Sequence, residues 1–414
     1  MLTLSVDVVV TIARGHCGTR DPASAAGTLR HNAVRDESSD TAARYNAGLR
    51  LFDRAMTAPG DLLCQRPEGM YCPVGDFHID PWRPVRRAVI THAHGDHARP
   101  GHADYLAVQE AHEVLHARLG AIRLQSVRYG EGVVINGVRV SLHPAGHVLG
   151  SAQVRLEHAG RVWVASGDYK MGADPTCAPF EGVRCDVFVT ESTFGLPIYR
   201  WPSAVEVFAE IDAWWAANAA EGRTSVLFGY AFGKSQRILR GVDRAIGPIV
   251  VHGAIEVLNA AYRASGVELP ATRRVQEVSR DELARALVLA PPSAAGSPWL
   301  RRFGNYSDAF ASGWMQVRGA RRRRALDRGF VLSDHADWPG LQQAIEATGA
   351  SRIIVTHGQS GAMVRWLDER GFQAESFATE FGDEQAEGSA ASTLPENEQQ
   401  SHREGSRGDD DRTE

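Results

Sequence analysis

The sequence predicts an α/β fold in which short strands alternate with amphipathic helices. Two observations carry that expectation. Brief β-rich runs recur between Gly, Asp and Pro, and beyond about residue 200 they alternate with stretches whose apolar residues return every three or four positions. A third observation, a cluster of histidine and aspartate at the end of one run, marks where chemistry sits in that fold.

The expected strands are RAVIT (87–91), VRVSLHP (138–144), VRLEH (154–158), RVWVASG (161–167) and DVFVTES (186–192). EVFAEIDAWWAANAA (206–220) has helical spacing, SVLFGY (225–230) returns as a strand, and KSQRILRGVDRAI (234–246) follows as a helix. IIVTHG (353–358) closes the series as a strand. No internal repeat is visible. Residues 1–60 contain the patternless HNAVRDESSDTAARYNAG and read as a poorly ordered extension, either an appended arm or an over-long gene start. Residues 383–414 are low in complexity and charged, and read as a disordered tail.

Bulk properties exclude several classes. Of 414 residues, 43% are hydrophobic and 23% charged, which supports a buried core and argues against a disordered or fibrous chain. The formal net charge of -5 means that nucleic acid would have to be met by a local basic patch. The five cysteines, Cys17, Cys64, Cys72, Cys177 and Cys185, include no C-x-x-C pair and read as reduced thiols. The apolar start LTLSVDVVVTIA holds Asp7 and lacks a basic flank, so it does not read as a signal peptide. No apolar run is long enough to span a membrane, and a cytoplasmic location is expected.

THAHGDH places His92, His94, Asp96 and His97 directly after the strand RAVIT, in a tight loop helped by Gly95. His92 and His94 can face one metal, and Asp96 and His97 a second. PAGHVLGSA adds His147, and SGDY adds Asp168 at a strand end, a candidate bridge because one carboxylate can offer an oxygen to each ion. Imidazole and carboxylate together suit Zn²⁺, with Mn²⁺ the other candidate. Two such ions would generate a nucleophile from water and neutralise a transferring phosphoryl group. Asp80, in FHIDP, is expected to orient a ligand histidine from behind; the alternative is a turn aspartate before Pro81.

H-x-H-x-D-H, then a lone His, then a lone Asp, resembles the metallo-β-lactamase superfamily over roughly residues 61–190 and again near the C-terminus. TESTFG with Glu191, FVLSDHADW with His335 and IIVTHG with His357 resemble its β-CASP nucleases. The resemblance implies an αββα sandwich interrupted by an α/β cap: 61–190 the first part, 191–325 the cap, 326–382 the second part. It implies that His92, His94 and His147 hold one metal, that Asp96, His97 and His357 hold the other, and that Asp168 bridges. It makes His335 the general acid held by Glu191, with Asp96 a further catalytic candidate. A histidine at 357 is usual in the RNA-acting branch. WMQVRGARRRRALDRGFVLSDHADW and the compact cap resemble instead the bacterial ligase-associated DNA damage response exonucleases, which are mRNA 3′-end processing factor-like. That implies a DNA exonuclease in end repair, working with a DNA ligase and a helicase, with RNA processing as the alternative and a small-molecule hydrolase as a weaker one.

RGARRRRALDRG concentrates Arg318, Arg321, Arg322, Arg323, Arg324 and Arg328. These either grip a phosphate backbone or form a solvated helix face. GYAFGKS has three residues between its glycines where the nucleotide-binding loop needs four, so nucleotide binding is rejected. Lys234 and Ser235 at that helix start can hold a substrate phosphate, or simply form a strand–helix turn. His78, His102, His112, His116 and His143 read as structural or surface residues, and Trp214 and Trp215 as core.

Overall fold

Strands β1 (Cys64–Arg66), β2 (Gly69–Cys72), β3 (Phe77–Ile79), β4 (Arg87–Val89), β5 (Asp104–Val108) and β6 (Leu124–Val127) form one sheet in that order, with helix α1 (His112–Leu119) between β5 and β6. The computed structural model describes residues 60–317 and 326–378. The first strands pair antiparallel, and β3 to β6 pair parallel. A meander of β7 (Gly132–Ile135), β8 (Val138–Pro144), β9 (Ala152–His158) and β10 (Arg161–Ala165) opens the second sheet, and β11 (Val187–Glu191) joins it parallel to β10.

The chain then leaves this sheet. Helix α2 (Ala204–Ala220) and β12 (Thr224–Phe228) are followed by α3 (Lys234–Gly241), β13 (Ile249–Val251), α4 (Gly253–Ala264), α5 (Arg280–Leu283), β14 (Leu287–Ala290), β15 (Tyr306–Ala311) and β16 (Arg328–Phe330). Their five strands form a wholly parallel sheet ordered β13-β14-β12-β15-β16. Strands covered on both faces carry continuous apolar runs, as TSVLF, IVV and LVLA do here. After α6 (Trp338–Thr348), β17 (Arg352–Thr356) returns beside β11, and α7 (Ser360–Asp368) leads to β18 (Gln373–Ser376) at the sheet edge.

Period-two alternation divides the cores. Along β10, β11 and β17, Trp163, Ala165, Val187, Val189 and Ile354 face the first sheet, while Val164, Phe188, Ile353 and Val355 face α6 and α7. The first two sheets thus pack face to face with helices outside. The parallel sheet has its own two cores: Leu227, Leu287 and Leu289 meet α2 and α3, while Val226, Phe228 and Val288 meet Leu300, Phe303 and Met315. Trp214 and Trp215 are buried on α2, as expected, and donate to Ser307 Oγ at 3.2 Å and Arg285 O at 2.9 Å.

Three boundaries differ from expectation. Helix α2 starts at Ala204 because Ser203 caps it, exchanging bonds with Glu206. Helix α3 stops at Gly241 instead of continuing to Ile246, where Val242 turns extended. The parallel sheet continues past residue 325, because β16 pairs with β15 through Ala311↔Phe330. The expected N-terminal extension (before residue 60) and tail (383–414) lie outside the described residues.

Candidate metal centre

Loops at the strand ends supply every residue of the site. Ile90 still donates to Leu106 O at 2.9 Å, and then His97 N and Ala98 N both turn back to His94 O. That turn gathers His92, His94, Asp96 and His97. Ser151 Oγ accepts from His147 N at 3.1 Å, fixing the β8–β9 turn. Asp168 follows β10 through Gly167, whose φ is +57° and whose missing Cβ would lie 2.7 Å from Thr91 Oγ1, so only glycine lets the two loops meet. Glu191 ends β11, and Thr356 stands opposite it on β17, so His357 emerges at the same end of the sheet.

The side chains converge on Asp168. Its Oδ2 lies 3.5 Å from His92 Nε2, 3.4 Å from His97 Nε2 and 3.8 Å from His147 Nε2, and His97 Nε2 is 3.6 Å from Asp96 Oδ2. Each outer nitrogen is tied to an oxygen. His97 Nδ1 meets Asp80 Oδ2 at 2.7 Å, His147 Nδ1 meets Asp334 O at 2.8 Å, His92 Nδ1 meets Thr91 Oγ1 at 3.1 Å, and His94 Nε2 meets Phe232 O at 3.3 Å. A carbonyl or carboxylate oxygen only accepts, so the outer nitrogens of His94, His97 and His147 carry the protons. Thr91 Oγ1 donates to Asp80 Oδ2, so it accepts from His92 as well. In a neutral ring the inward nitrogen is then a bare lone pair. His147 Nε2 and His94 Nδ1 stand 3.0 Å apart with no proton to share, and His92 Nε2 and His97 Nε2 are buried without a hydrogen-bond partner. Lone pairs and carboxylates aimed at one point fit a cation, and imidazoles anchored this way are built as ligands.

The electrostatics agree. Burial, reinforced by neighbouring imidazoles, holds His92 well below its ordinary range and pushes His94 and His147 down to about 3. They stay neutral, as ligation requires. His97 differs: burial opposes charge, but Asp168, Asp96 and Asp80 together outweigh it and raise the ring well above its usual value, so Nε2 holds a proton that an incoming cation would displace. Burial likewise works against a charged Asp168, yet His97 and His335 hold its carboxyl well below the usual range.

Ligand atoms of His92, His94, His147 and Asp168 lie within 4.8 Å of one another, and so do those of Asp168, Glu191 and His335. The second grouping was not anticipated as a ligand set. Its geometry is that of an anchored pair: His335 Nδ1 meets Glu191 Oε2 at 2.9 Å, and the buried Glu191 carboxylate also accepts from Tyr169 N at 2.8 Å and Thr193 Oγ1 at 2.6 Å. The His335 ring centroid is 4.6 Å from that of His147.

Two residues at the rim have left-handed backbones, Asp80 (φ +44°) and His357 (φ +46°). Such conformations cost about 1–3 kcal/mol and persist where surroundings over-determine them. Asp80 accepts from Thr91 N at 2.8 Å, and its other oxygen meets both Thr91 Oγ1 and His97 Nδ1. The His357 ring centroid is 5.3 Å from that of His97, and its Nδ1 is 3.2 Å from Thr356 Oγ1.

Lys234 and Ser235 require correction as phosphate contacts. Both are buried: Lys234 Nζ is spent on Asp334 Oδ2 at 2.9 Å and Leu332 O at 2.7 Å, and Ser235 Oγ on Tyr230 O at 2.8 Å. Arg318 and Arg321 to Arg324 lie outside the described residues. Arg328 sits on β16, 3.8 Å from Glu210. Sequence reasoning missed Thr91, Asp334 and the Phe232 carbonyl. Asp334, beside His335 in SDHADW, was the one with a readable signal.

No family model matches the chain. Among curated relatives, a probable DNA ligase of Opitutus terrae is 31% identical over 309 residues, 74% of this chain and 30% of the relative. An endoribonuclease (ysh1) of Aspergillus fumigatus is 30% identical over 123 residues, 29% of this chain and 14% of the relative. An RNase J-like protein of Methanocaldococcus jannaschii is 26% identical over 143 residues, 32% of this chain and 34% of the relative. The matches thus span about a third or less of each relative's length. Two facing sheets with a histidine–aspartate cluster at their strand ends define a metallo-β-lactamase fold. With the parallel-sheet insertion between β11 and β17, and with these relatives, the chain belongs to the β-CASP branch of the metallo-β-lactamase superfamily.

Proposed function

We propose that the chain is a nuclease that holds two divalent metals and hydrolyses phosphodiester bonds, with DNA the favoured substrate and end trimming the favoured mode. One observation carries the reading. Inward nitrogens of four anchored imidazoles surround Asp168, and the Glu191–His335 pair stands against them. His92, His94 and His147 would hold one ion, Asp96, His97 and His357 the other, and Asp168 would belong to both. Zn²⁺ suits this donor set best, with Mn²⁺ next. When bound, such ions supply a nucleophile from water and neutralise charge on the phosphoryl group.

The protein's own share is positioning and proton transfer. Glu191 accepts from Nδ1 of His335 and fixes the ring, which leaves Nε2 free to pass a proton to the leaving oxygen. Asp80 and Thr91 keep His97 and His92 turned inward. A small-molecule hydrolase reading has no use for the Glu191–His335 pair.

The DNA reading draws on the resemblance to ligase-associated exonucleases and on the relative that aligns over 74% of this chain, a probable DNA ligase. On it, a ligase and a helicase are the expected partners. RNA is the second reading, favoured by His357 and by the endoribonuclease names of the shorter matches. End-labelled DNA and RNA, each with Zn²⁺ and Mn²⁺, separate them. Progressive shortening of DNA from an end is expected. Internal cuts in RNA with DNA left intact would replace the first reading by the second.

A further inference from the structure

Beneath the centre lies a buried set of charges that neither ligation nor proton transfer uses. Lys234 and Arg237 stand on the first turn of α3, Asp334 precedes His335, and Lys170 and Asp174 follow Asp168; all five are buried. Lys234 Nζ is 2.9 Å from Asp334 Oδ2, and Arg237 Nη1 is 3.2 Å from Asp334 Oδ1 and donates to Ser333 O at 2.5 Å. Arg237 Nε reaches Asp174 Oδ2 at 3.4 Å, and Lys170 Nζ reaches the same oxygen at 3.8 Å. Lys234 also donates to Leu332 O. Two cations from the inserted unit therefore grip three successive residues, 332 to 334, of the loop that carries His335.

That loop does two jobs. The Asp334 carbonyl is the acceptor that sets the tautomer of His147, and His335 comes next in the chain. The turn that launches α3 does a third, because the Phe232 carbonyl sets the tautomer of His94. This turn can approach so closely only because residue 233 is glycine: its φ is +83°, and a Cβ there would lie 2.3 Å from Val148 Cγ1. Salt bridges this deeply buried add little net stability, because desolvation offsets attraction, but they fix geometry once formed.

We propose that Lys234 and Arg237 are positioning residues: by clamping residues 332 to 334 they fix the ring of His147 and the place of His335. The inference rests on the metal-nuclease reading for its consequence in turnover, but not for its geometry. Neither residue touches substrate, so the clamp acts on kcat and leaves KM for a small diester alone. Loss of partners that orient metal ligands typically costs 10–100-fold in activity or metal affinity.

The test compares Lys234→Met, Arg237→Met, Arg237→Lys and the double variant Lys234→Met/Asp334→Asn, which removes one buried cation together with one buried anion and so keeps the buried charge balance. Two quantities are read on the folded protein. One is kcat, KM and the pH–rate profile with bis(p-nitrophenyl) phosphate. The other, independent of activity, is the ring ¹⁵N spectrum of His147, assigned with His147→Gln. Both Met variants and the double variant should lose 10–100-fold in kcat with KM within twofold, a displaced pH profile, and a His147 spectrum departing from the Nδ1-protonated tautomer of wild type; Arg237→Lys should recover part of each. Folded variants with wild-type kcat, pH profile and His147 spectrum would overturn the proposal, as would failure of all four to fold, which would leave the charges a purely structural role. Wild-type protein that cleaves no diester would sink the nuclease reading instead, while the His147 spectra would still decide the clamp.

Discussion

Asp80→Asn isolates one oxygen of the centre. Asp80 Oδ1 accepts from Thr91 N at 2.8 Å, while Oδ2 accepts from Thr91 Oγ1 and from His97 Nδ1 at 2.7 Å. Asparagine keeps the size, tolerates the left-handed backbone and can still accept from Thr91 N. Its amide nitrogen then faces His97 Nδ1, and two donors cannot meet. His97 must move its proton to Nε2, the atom 3.4 Å from Asp168 Oδ2, and the inward lone pair is lost. Flipping the amide only moves the clash to Thr91 N. Fold stability should fall by about 1.5–3 kcal/mol, the range for hydrogen bonds to a charged group. Affinity for one of two metal equivalents should fall 10–100-fold, about 1.4–2.7 kcal/mol. Competition with a chromophoric chelator reads the affinity, and calorimetric unfolding of the metal-stripped protein reads the stability. Two equivalents bound with wild-type affinity would refute the tautomer argument, whatever the stability.

Elemental analysis of metal-saturated protein should give two ions per chain, and Asp168→Ala should lose both the bound metal and most activity; wild-type turnover in that variant would show the shared carboxylate to be misassigned. His335→Ala should slow cleavage by roughly 10²–10⁴-fold with metal content intact, and metal lost in step with activity would make His335 a ligand. Replacing Arg321, Arg322, Arg323 and Arg324 by glutamine should flatten the salt dependence of single-strand binding by about 0.7 per lost phosphate contact while small-diester cleavage survives. An unchanged slope would leave the run a solvated face.

The candidate metal cluster was legible because four of its members are packed into six positions of one loop and the others follow strands that the pattern of β-branched residues reveals. The αββα layering and the insertion were legible through resemblance, since periodicity alone gave strands and helices without their sheets. Other parts were hidden for physical reasons. The Phe232 and Asp334 carbonyls act through the backbone, which carries no residue-specific signal. Lys234 and Ser235 at a helix start imitate a phosphate site, and only burial against Asp334 separates the two. The end of α3 at Gly241, where Val242 turns extended, left no mark in an apolar periodicity that runs on to Ile246.

The return of β17 beside β11 bears on how the chain is made. Ser192 Oγ donates to His357 O across 165 residues, and until β17 has been synthesised one edge of β11 has no strand to pair with. At 5–20 residues per second the ribosome takes roughly 10–30 s to deliver it. Throughout that interval VFVTE, fully buried in the finished protein, offers an open ladder of the kind that recruits foreign strands. The inserted unit is built of parallel strands joined through helices and holds its own cores, so it can fold while β11 waits. A substitution that slows its folding would then lower the yield of soluble protein without touching a single residue of the centre.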